Sequence, residues 1–301
     1  MNSQNNVILI IGASGFVGHN IYQYLSQNQD NSYQVLGTYH SSEITENFDY
    51  LDITSSSELY KYLFQKQPDF IIFAAGNKDI KSCESDFFQA YSVNTEPINS
   101  VIKIINTLHI NTRFIYISTD YVFDGKDGEY RDDDMPNPQT QYGKTKYLAE
   151  ELLLNSAINY KIIRTGALMG KGGIFFDWLI DEITNNCILS MYDDIYFTPT
   201  PSLFFCEMLK KIIDLYDTIS EKIIHISGEK RLNRYHFALI VKDLLKSNIN
   251  IRAEKYSDSS KFFQSDLSLI SSDVINKLRT KKFIDYLKNE IINDQINLTL
   301  L

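Results

Sequence analysis

Tyr142 and Lys146 stand four residues apart in Tyr142-Gly143-Lys144-Thr145-Lys146, and upstream the apolar run Ile115-Tyr116-Ile117 closes on Ser118-Thr119. On a helix, four residues is just over one turn, so the phenol and the amine share a face. A phenol with a pKa near ~10 is too weak an acid for efficient proton transfer at neutrality. A neighbouring ammonium favours its ionised form and lowers that value. A hydroxyl at a strand end can bond a substrate oxygen and stabilise the charge that develops on it. The three groups together can protonate a carbonyl oxygen while hydride reaches the carbon. The spacing alone is weak evidence, because the chain has 20 tyrosines and repeats the pattern at Tyr62 and Lys66. That copy precedes Pro68-Asp69, has no hydroxyl-bearing strand end feeding it, and reads as a surface helix pair.

The elements that must position these groups alternate. Val7–Ile11, Tyr33–Tyr39, Phe70–Ala75 and Arg113–Ser118 are short runs rich in Ile, Val, Phe and Tyr, the pattern of strands. Phe16–Ser26, Ser56–Gln65, Asp86–Leu108 and Tyr142–Asn155 have helical character, and Pro97 should bend or split the third of these. Such alternation predicts an α/β fold, a Rossmann-type doubly wound parallel sheet with helices on both faces. After the strand Tyr160–Thr165 the pattern loosens. Gly170–Gly173 reads as a loop and Thr198–Pro201 as a turn. Helices are expected at Ile174–Asn185, Leu203–Tyr216, Tyr235–Leu245 and Val274–Ile292. The expected division is a dinucleotide-binding domain over 1–165 and a smaller C-terminal substrate lobe over 166–301, with the strand at 222–227 returning to the main sheet.

The first strand runs into Gly12-Ala13-Ser14-Gly15-Phe16-Val17-Gly18, a glycine turn that opens a helix. That context turns a weak motif into a useful one. Gly12 lets the chain reverse, Gly15 clears the approach of a pyrophosphate, and Gly18 lets helix and strand pack closely. The N–H groups of Ser14, Gly15, Phe16 and Val17 then face the phosphates with the positive end of the helix dipole behind them. An NAD-selective site carries a carboxylate at the end of the second strand. Here that position reads His40-Ser41-Ser42, Glu43 falls late, and no arginine is present. The hydroxyls and imidazole can donate to a 2′-phosphate, so NADPH is the expected cofactor, with NADH possible. Asp52-Ile53 falls where adenine is contacted, and Ala74-Ala75-Gly76 is small enough to clear space beside the pyrophosphate.

Bulk properties narrow the partners. The 301 residues carry a net charge of −9, which argues against nucleic acid or an anionic membrane surface. No apolar run approaches the ~20 residues a bilayer crossing needs. Met1–Asn6 is polar and Val7–Ile11 short, so no secretory leader is expected. Cys83, Cys187 and Cys206 lack metal or redox spacing and read as reduced thiols of a cytoplasmic protein.

Ser118-Thr119-Asp120-Tyr121-Val122-Phe123-Asp124-Gly125, followed by the Tyr142–Lys146 block, resembles the dTDP-4-dehydrorhamnose reductase family of extended short-chain dehydrogenase/reductases. Weaker matches are Cys83-Glu84, Val93-Asn94, Arg164-Thr165, Thr198-Pro199-Thr200, His225-Ile226-Ser227-Gly228 and Arg234-Tyr235. The resemblance implies Tyr142 as proton donor, Lys146 as its activator and cofactor clamp, and Thr119 as the hydroxyl on the ketone. It also implies a cofactor contact at Asn94. The reaction implied is hydride reduction of a dTDP-4-keto-6-deoxyhexose in dTDP-rhamnose biosynthesis, without a metal, and a homodimer is a possible assembly. The chain departs from the family at Gly166-Ala167-Leu168-Met169, where an aromatic-rich run with a tryptophan is usual. It departs again at Leu203-Phe204-Phe205-Cys206, where an acid commonly follows the Pro-Thr turn.

Other residues have plainer readings. His225 is expected in the core, Asp132-Asp133-Asp134 in a solvated loop, and Cys83-Glu84 at a helix cap. Two competing functions are a non-catalytic NADP-binding regulatory subunit on the same fold, which the family is known to contain, and a nucleotide-sugar epimerase or dehydratase. A dehydratase needs an acid beside the hydroxyl. Strand alternation places Asp120 on the face opposite Thr119.

Overall fold

The computed structural model describes residues 6–28, 33–41, 47–256 and 264–298, with the side chains of 293–298 excepted. In chain order the elements are β1 (Asn6–Ile11), α1 (Phe16–Gln27), β2 (Tyr33–Tyr39), β3 (Asp49–Tyr50), α2 (Ser56–Lys66), β4 (Phe70–Phe73), α3 (Ile80–Ser85), α4 (Phe87–Asn94), α5 (Glu96–Leu108) and β5 (Arg113–Thr119). A 3-10 turn over Asp120–Val122 leads towards α6 (Gln141–Leu154) and β6 (Asn159–Thr165). Then come β7 (Leu168–Met169), α7 (Ile174–Asn185), β8 (Ile188–Tyr192), β9 (Tyr196–Phe197), β10 (Thr200–Pro201), α8 (Ser202–Asp214) and β11 (Ile223–His225). The last are β12 (Leu232–Asn233), α9 (Arg234–Leu245), β13 (Asn250–Glu254), α10 (Asp273–Leu278) and α11 (Phe283–Leu298).

Seven strands form one sheet in the order β11-β6-β5-β4-β1-β2-β3. The pairs β1–β2, β1–β4, β4–β5 and β2–β3 are parallel. The order reverses between β1 and β4, and in an open α/β sheet that reversal opens a crevice at the carboxyl ends of the two strands. All four residues of β4, Phe-Ile-Ile-Phe, are buried, as a strand covered on both faces requires. The core of this layer joins Leu9, Ile11, Ile71, Phe73, Phe114 and Tyr116 to Ile98, Val101 and Ile105 of α5 and to Ala149 and Leu153 of α6.

The chain divides into two compact units, and the division is interleaved. The first comprises Met1–Val122, Pro136–Arg164 and Ser220–Ile224; the second takes Phe123–Met135, Thr165–Ile219 and His225–Leu301. Within the second unit, Phe176, Leu179 and Ile183 of α7 pack with Phe237 and Val241 of α9 and with Leu287 of α11, and β8 pairs in parallel with β13.

The helix foreseen at Asp86–Leu108 is split, as Pro97 required, at Thr95: Pro97 lacks an N–H and its ring would strike the carbonyl four residues back, so it sits in the first turn of α5. Other local expectations change. The helix foreseen at Val274–Ile292 is two helices. The chain is extended at Arg279, whose guanidinium is drawn to Glu229 at 3.0 Å and to the Ser227 carbonyl at 3.1 Å. Tyr62 is not a surface residue: it is 9% exposed, and its hydroxyl donates to Asp49, which also pairs with Lys66 at 2.8 Å.

Candidate active site

The glycine turn is built as its residues demand. Gly12 has φ +89°, and a Cβ there would lie 2.7 Å from the backbone of Ala75 in the segment leaving β4. Gly18 lies against the turn, where a Cβ would stand 2.2 Å from the Gly12 carbonyl oxygen. Gly15 differs. It is the N-cap of α1 in an extended conformation (φ −79°), and a Cβ there would meet only the Gly12 oxygen, at an ordinary 3.5 Å. The fold itself therefore does not require glycine at 15.

Around this turn lies a cleft of about 250 Å³. It brings together Gly12, Ser14, Gly15, His40, Ser41, Asp52, Ile53, Ala74, Ala75 and Gly76, all singled out from sequence. Its lining adds Val93, from the Val93-Asn94 match, and Thr38, Tyr39, Leu51 and Thr54, none of them expected as cofactor contacts. Ser42 and Glu43 fall outside the described residues. Thr38 accepts the Gly12 N–H at 3.2 Å, tying β2 to the turn. Asp52 accepts from the Thr54 hydroxyl at 2.7 Å and the Thr54 N–H at 2.8 Å. These bonds hold its carboxyl below the usual range, with a smaller pull from His40. The local pattern Asp-x-Thr is the signal that would have found Thr54. His40 is exposed and stacks on Tyr50 with ring centres 5.7 Å apart.

Phe16, Val17, Gly18 and Asn94 are not in the cleft lining. Asn94 is 1% exposed, and its amide is fully engaged. It accepts the Asn77 N–H at 2.7 Å and donates to the Asn77 carbonyl and the Thr145 hydroxyl, both at 3.0 Å. It braces the loop after β4 against α6.

The other group of candidates gathers at the carboxyl end of β5, the sheet neighbour of β4. Tyr142 and Lys146 lie in the first two turns of α6, as the spacing predicted. Two side chains cap that helix: Thr140 accepts the Gly143 N–H at 3.0 Å, and Glu84 of α3 accepts the Gln141 N–H at 2.6 Å. Glu84 thus caps α6 rather than its own helix. A Cβ at Gly143 would stand 2.1 Å from the Tyr121 carbonyl oxygen, so glycine here lets α6 close onto the 3-10 turn.

Tyr142 lies beside the Thr119 hydroxyl. Thr119 is 7% exposed, donates to Asp120 Oδ1 at 2.9 Å and accepts the Tyr121 N–H at 3.3 Å. Asp120 therefore lies beside the hydroxyl, not on the opposite face, because the chain leaves β5 for the 3-10 turn at this residue and strand alternation stops. Burial pushes the Tyr142 phenol well above its ordinary value; Thr119 eases it back, and Asp120, Tyr121 and Cys83 push it further up.

Lys146 is 6% exposed, and its Nζ donates to the Ile117 carbonyl at 2.7 Å over the Tyr116 ring, 4.1 Å from its centre. Burial pulls the lysine down to about 7, and Glu150 opposes that pull. The amine is engaged by the β5 carbonyl, and Thr119 is the group that eases ionisation. Ser118 donates to Glu150, which Arg164 grips through Nε and at 2.7 Å through Nη2.

Elsewhere, His225 is fully buried, with its ring edge-on to Phe123. Asp132 accepts from Ser272, and Asp134 accepts the Arg131 N–H at 2.8 Å. Among the described residues no cluster of His, Cys, Asp and Glu can hold a metal, and no helix is long and apolar enough to cross a membrane.

A parallel sheet reversing beside a glycine turn, with a Thr–Tyr–Lys set at the next strand end, defines an extended short-chain dehydrogenase/reductase fold. The family described as "RmlD substrate binding domain" matches residues 6–268. A dTDP-4-dehydrorhamnose reductase of Aggregatibacter actinomycetemcomitans is 30% identical over 241 residues, 78% of either chain. The chain belongs to this dTDP-4-dehydrorhamnose reductase family. Also similar is methionine adenosyltransferase 2 subunit beta of Bos taurus, 24% identical over 258 residues, 81% of this chain and 73% of that one. Among solved structures, a dTDP-4-dehydrorhamnose reductase of Clostridium acetobutylicum superposes with a TM-score of 0.81 at 24% identity, covering 96% of this chain and 99% of the other. One from Bacillus anthracis, in complex with NADP, gives 0.81 at 22% identity and the same coverage.

Proposed function

We propose that this protein is an NADPH-dependent reductase of a nucleotide-linked 4-keto-6-deoxy sugar, acting on a dTDP-4-dehydrorhamnose-like substrate. The observation that carries this reading is the placing of Tyr142 beside Thr119, on the helix face that also holds Lys146, at a strand end beside the cleft. The relatives include both reductases and methionine adenosyltransferase beta subunits, so the family name alone does not choose between an enzyme and a regulatory subunit. The assembled Thr–Tyr–Lys set favours the enzyme.

The cleft suits a dinucleotide on one count that the fold does not explain: the missing Cβ at Gly15 leaves the N-terminus of α1 open to a pyrophosphate. Ser14, Gly15 and the first N–H groups of α1 would hold the phosphates, His40 and Ser41 the 2′-phosphate, and Asp52 and Ile53 the adenine. Ala74, Ala75 and Gly76 would flank the pyrophosphate. Bound NADPH supplies hydride to the C4 carbon. Thr119 polarises the ketone oxygen, and Tyr142, kept protonated by burial, delivers its proton there. Lys146 holds the nicotinamide ribose and stabilises the phenolate that Tyr142 leaves behind. A reductase drawing on nucleotide-sugar and NADPH pools works in the cytoplasm.

The test is NADPH oxidation with dTDP-4-keto-6-deoxyhexose and with its UDP-linked analogue. Turnover that is abolished in Tyr142→Phe supports the proposal. Tight NADPH binding without turnover on either sugar would transfer the protein to the regulatory class.

A further inference from the structure

We propose that Glu150 is a positioning residue for the reduction: gripped by Arg164 and Ser118 one helical turn beyond Lys146, it is the counter-ion that keeps the lysine an ammonium group. This rests on the reductase reading.

The geometry comes first. Glu150 is fully buried and Arg164 is 1% exposed. Both carboxylate oxygens are engaged, Oε1 by Ser118 and Arg164 Nε, Oε2 by Arg164 Nε and Nη2. A buried ion pair is a poor stability device, because desolvation offsets its attraction and apolar replacements are often as stable. Its use here is better sought in its neighbour. Glu150 follows Lys146 by four residues on α6, so the carboxylate and the amine share a helix face.

The other groups around Lys146 are neutral or are bonded to other donors. On β5, Tyr116 presents its ring, and burial keeps its hydroxyl protonated. On α3, Cys83 is held neutral by burial, and Glu84 is committed to the start of α6. Asp120 of the 3-10 turn accepts from Thr119. Asn94 of α4 and Thr95, the cap of α5, are uncharged and bond Thr145. Tyr142 on α6 is a neutral phenol. Arg164 of β6 is a second cation behind Glu150. Burial drives Lys146 towards its neutral form, and Glu150 is the charge that opposes this. Without Glu150, the buried Arg164 guanidinium would lose its carboxylate partner.

This arrangement predicts a pattern of signs that a purely structural pair would not produce. With ¹³Cε-labelled lysine in the full chain, the Lys146 resonance is assigned by its absence in Lys146→Met, and its titration midpoint is read directly by NMR. Glu150→Gln should lower the midpoint by about 1 pH unit or more, and Arg164→Met should raise it. The double variant Glu150→Gln/Arg164→Met, which strands no buried charge, should fold and fall between Glu150→Gln and the wild type. The alkaline limb of kcat/KM should move in the same order. A midpoint unmoved or raised in folded Glu150→Gln overturns the proposal. If that single variant does not fold, a double variant titrating at or above the wild type does the same. Failure of the wild type to reduce any nucleotide sugar would sink the reductase reading and leave the NMR titration standing.

Discussion

Alanine at Gly15 and at Gly18 separates what the glycine turn owes to its fold from what it owes to a ligand. At Gly15 a Cβ finds only the Gly12 oxygen at 3.5 Å, and φ of −79° is open to any residue. Alanine loses up to about 1 kcal/mol as a poorer N-cap and regains about 0.4–1 kcal/mol through the stiffer unfolded chain. The net change should stay within about 0.5 kcal/mol, or a couple of degrees in Tm. At Gly18 the Cβ would lie 2.2 Å from the Gly12 carbonyl oxygen and 2.8 Å from its carbon, both backbone atoms. Forcing that overlap costs at least about 1–3 kcal/mol, and the turn must move. Binding inverts the picture: a methyl group at 15 intrudes where the phosphates approach, and NADPH affinity should fall at least about tenfold, or 1.4 kcal/mol. Thermal unfolding and cofactor fluorescence titration on both variants decide the matter. Gly15→Ala binding NADPH like the wild type, or melting like Gly18→Ala, would refute the assignment of the turn.

Three further outcomes are expected. Thr119→Val should lower kcat by about a hundredfold or more with little change in KM, since the lost hydroxyl bond matters most as charge develops on the ketone oxygen; steady-state kinetics check it. His40→Asp adds a carboxylate at the end of β2 and should shift preference from NADPH to NADH, read as opposite changes in the two dissociation constants. Glu290 lies 8% exposed in the second unit, where burial raises its carboxyl from 4.5 to about 7 despite the Leu203 N–H at 2.6 Å. The folded state then binds more protons than the unfolded state between those values. Stability should drop by roughly 3 kcal/mol as pH rises through that window. Glu290→Gln should flatten the slope in Tm measured from pH 4 to 8.

The sequence by itself determined most of the frame and much of the site. Period and residue type marked β1, β2, β4 and β5 within two residues of their ends, most plainly β1 and β4, because buried parallel strands are unbroken apolar runs. The glycine turn and the Tyr142–Lys146 pair were legible because both are local: one requires a positive φ and close backbone approach, the other a single helical turn. Tertiary structure decided what depends on residues far apart in the chain. Asp120 joined Thr119 only because the strand ends in a 3-10 turn at that point. Asn94 was turned inward by Asn77 and Thr145, 17 and 51 residues away. Lys146 was drawn to the Ile117 carbonyl, and Glu150 was clamped by Ser118 and Arg164 from two neighbouring strands. Side-chain spacing reports which groups share a face. Which partner each group takes on that face is set by the competition among donors and acceptors that folding brings within 3 Å.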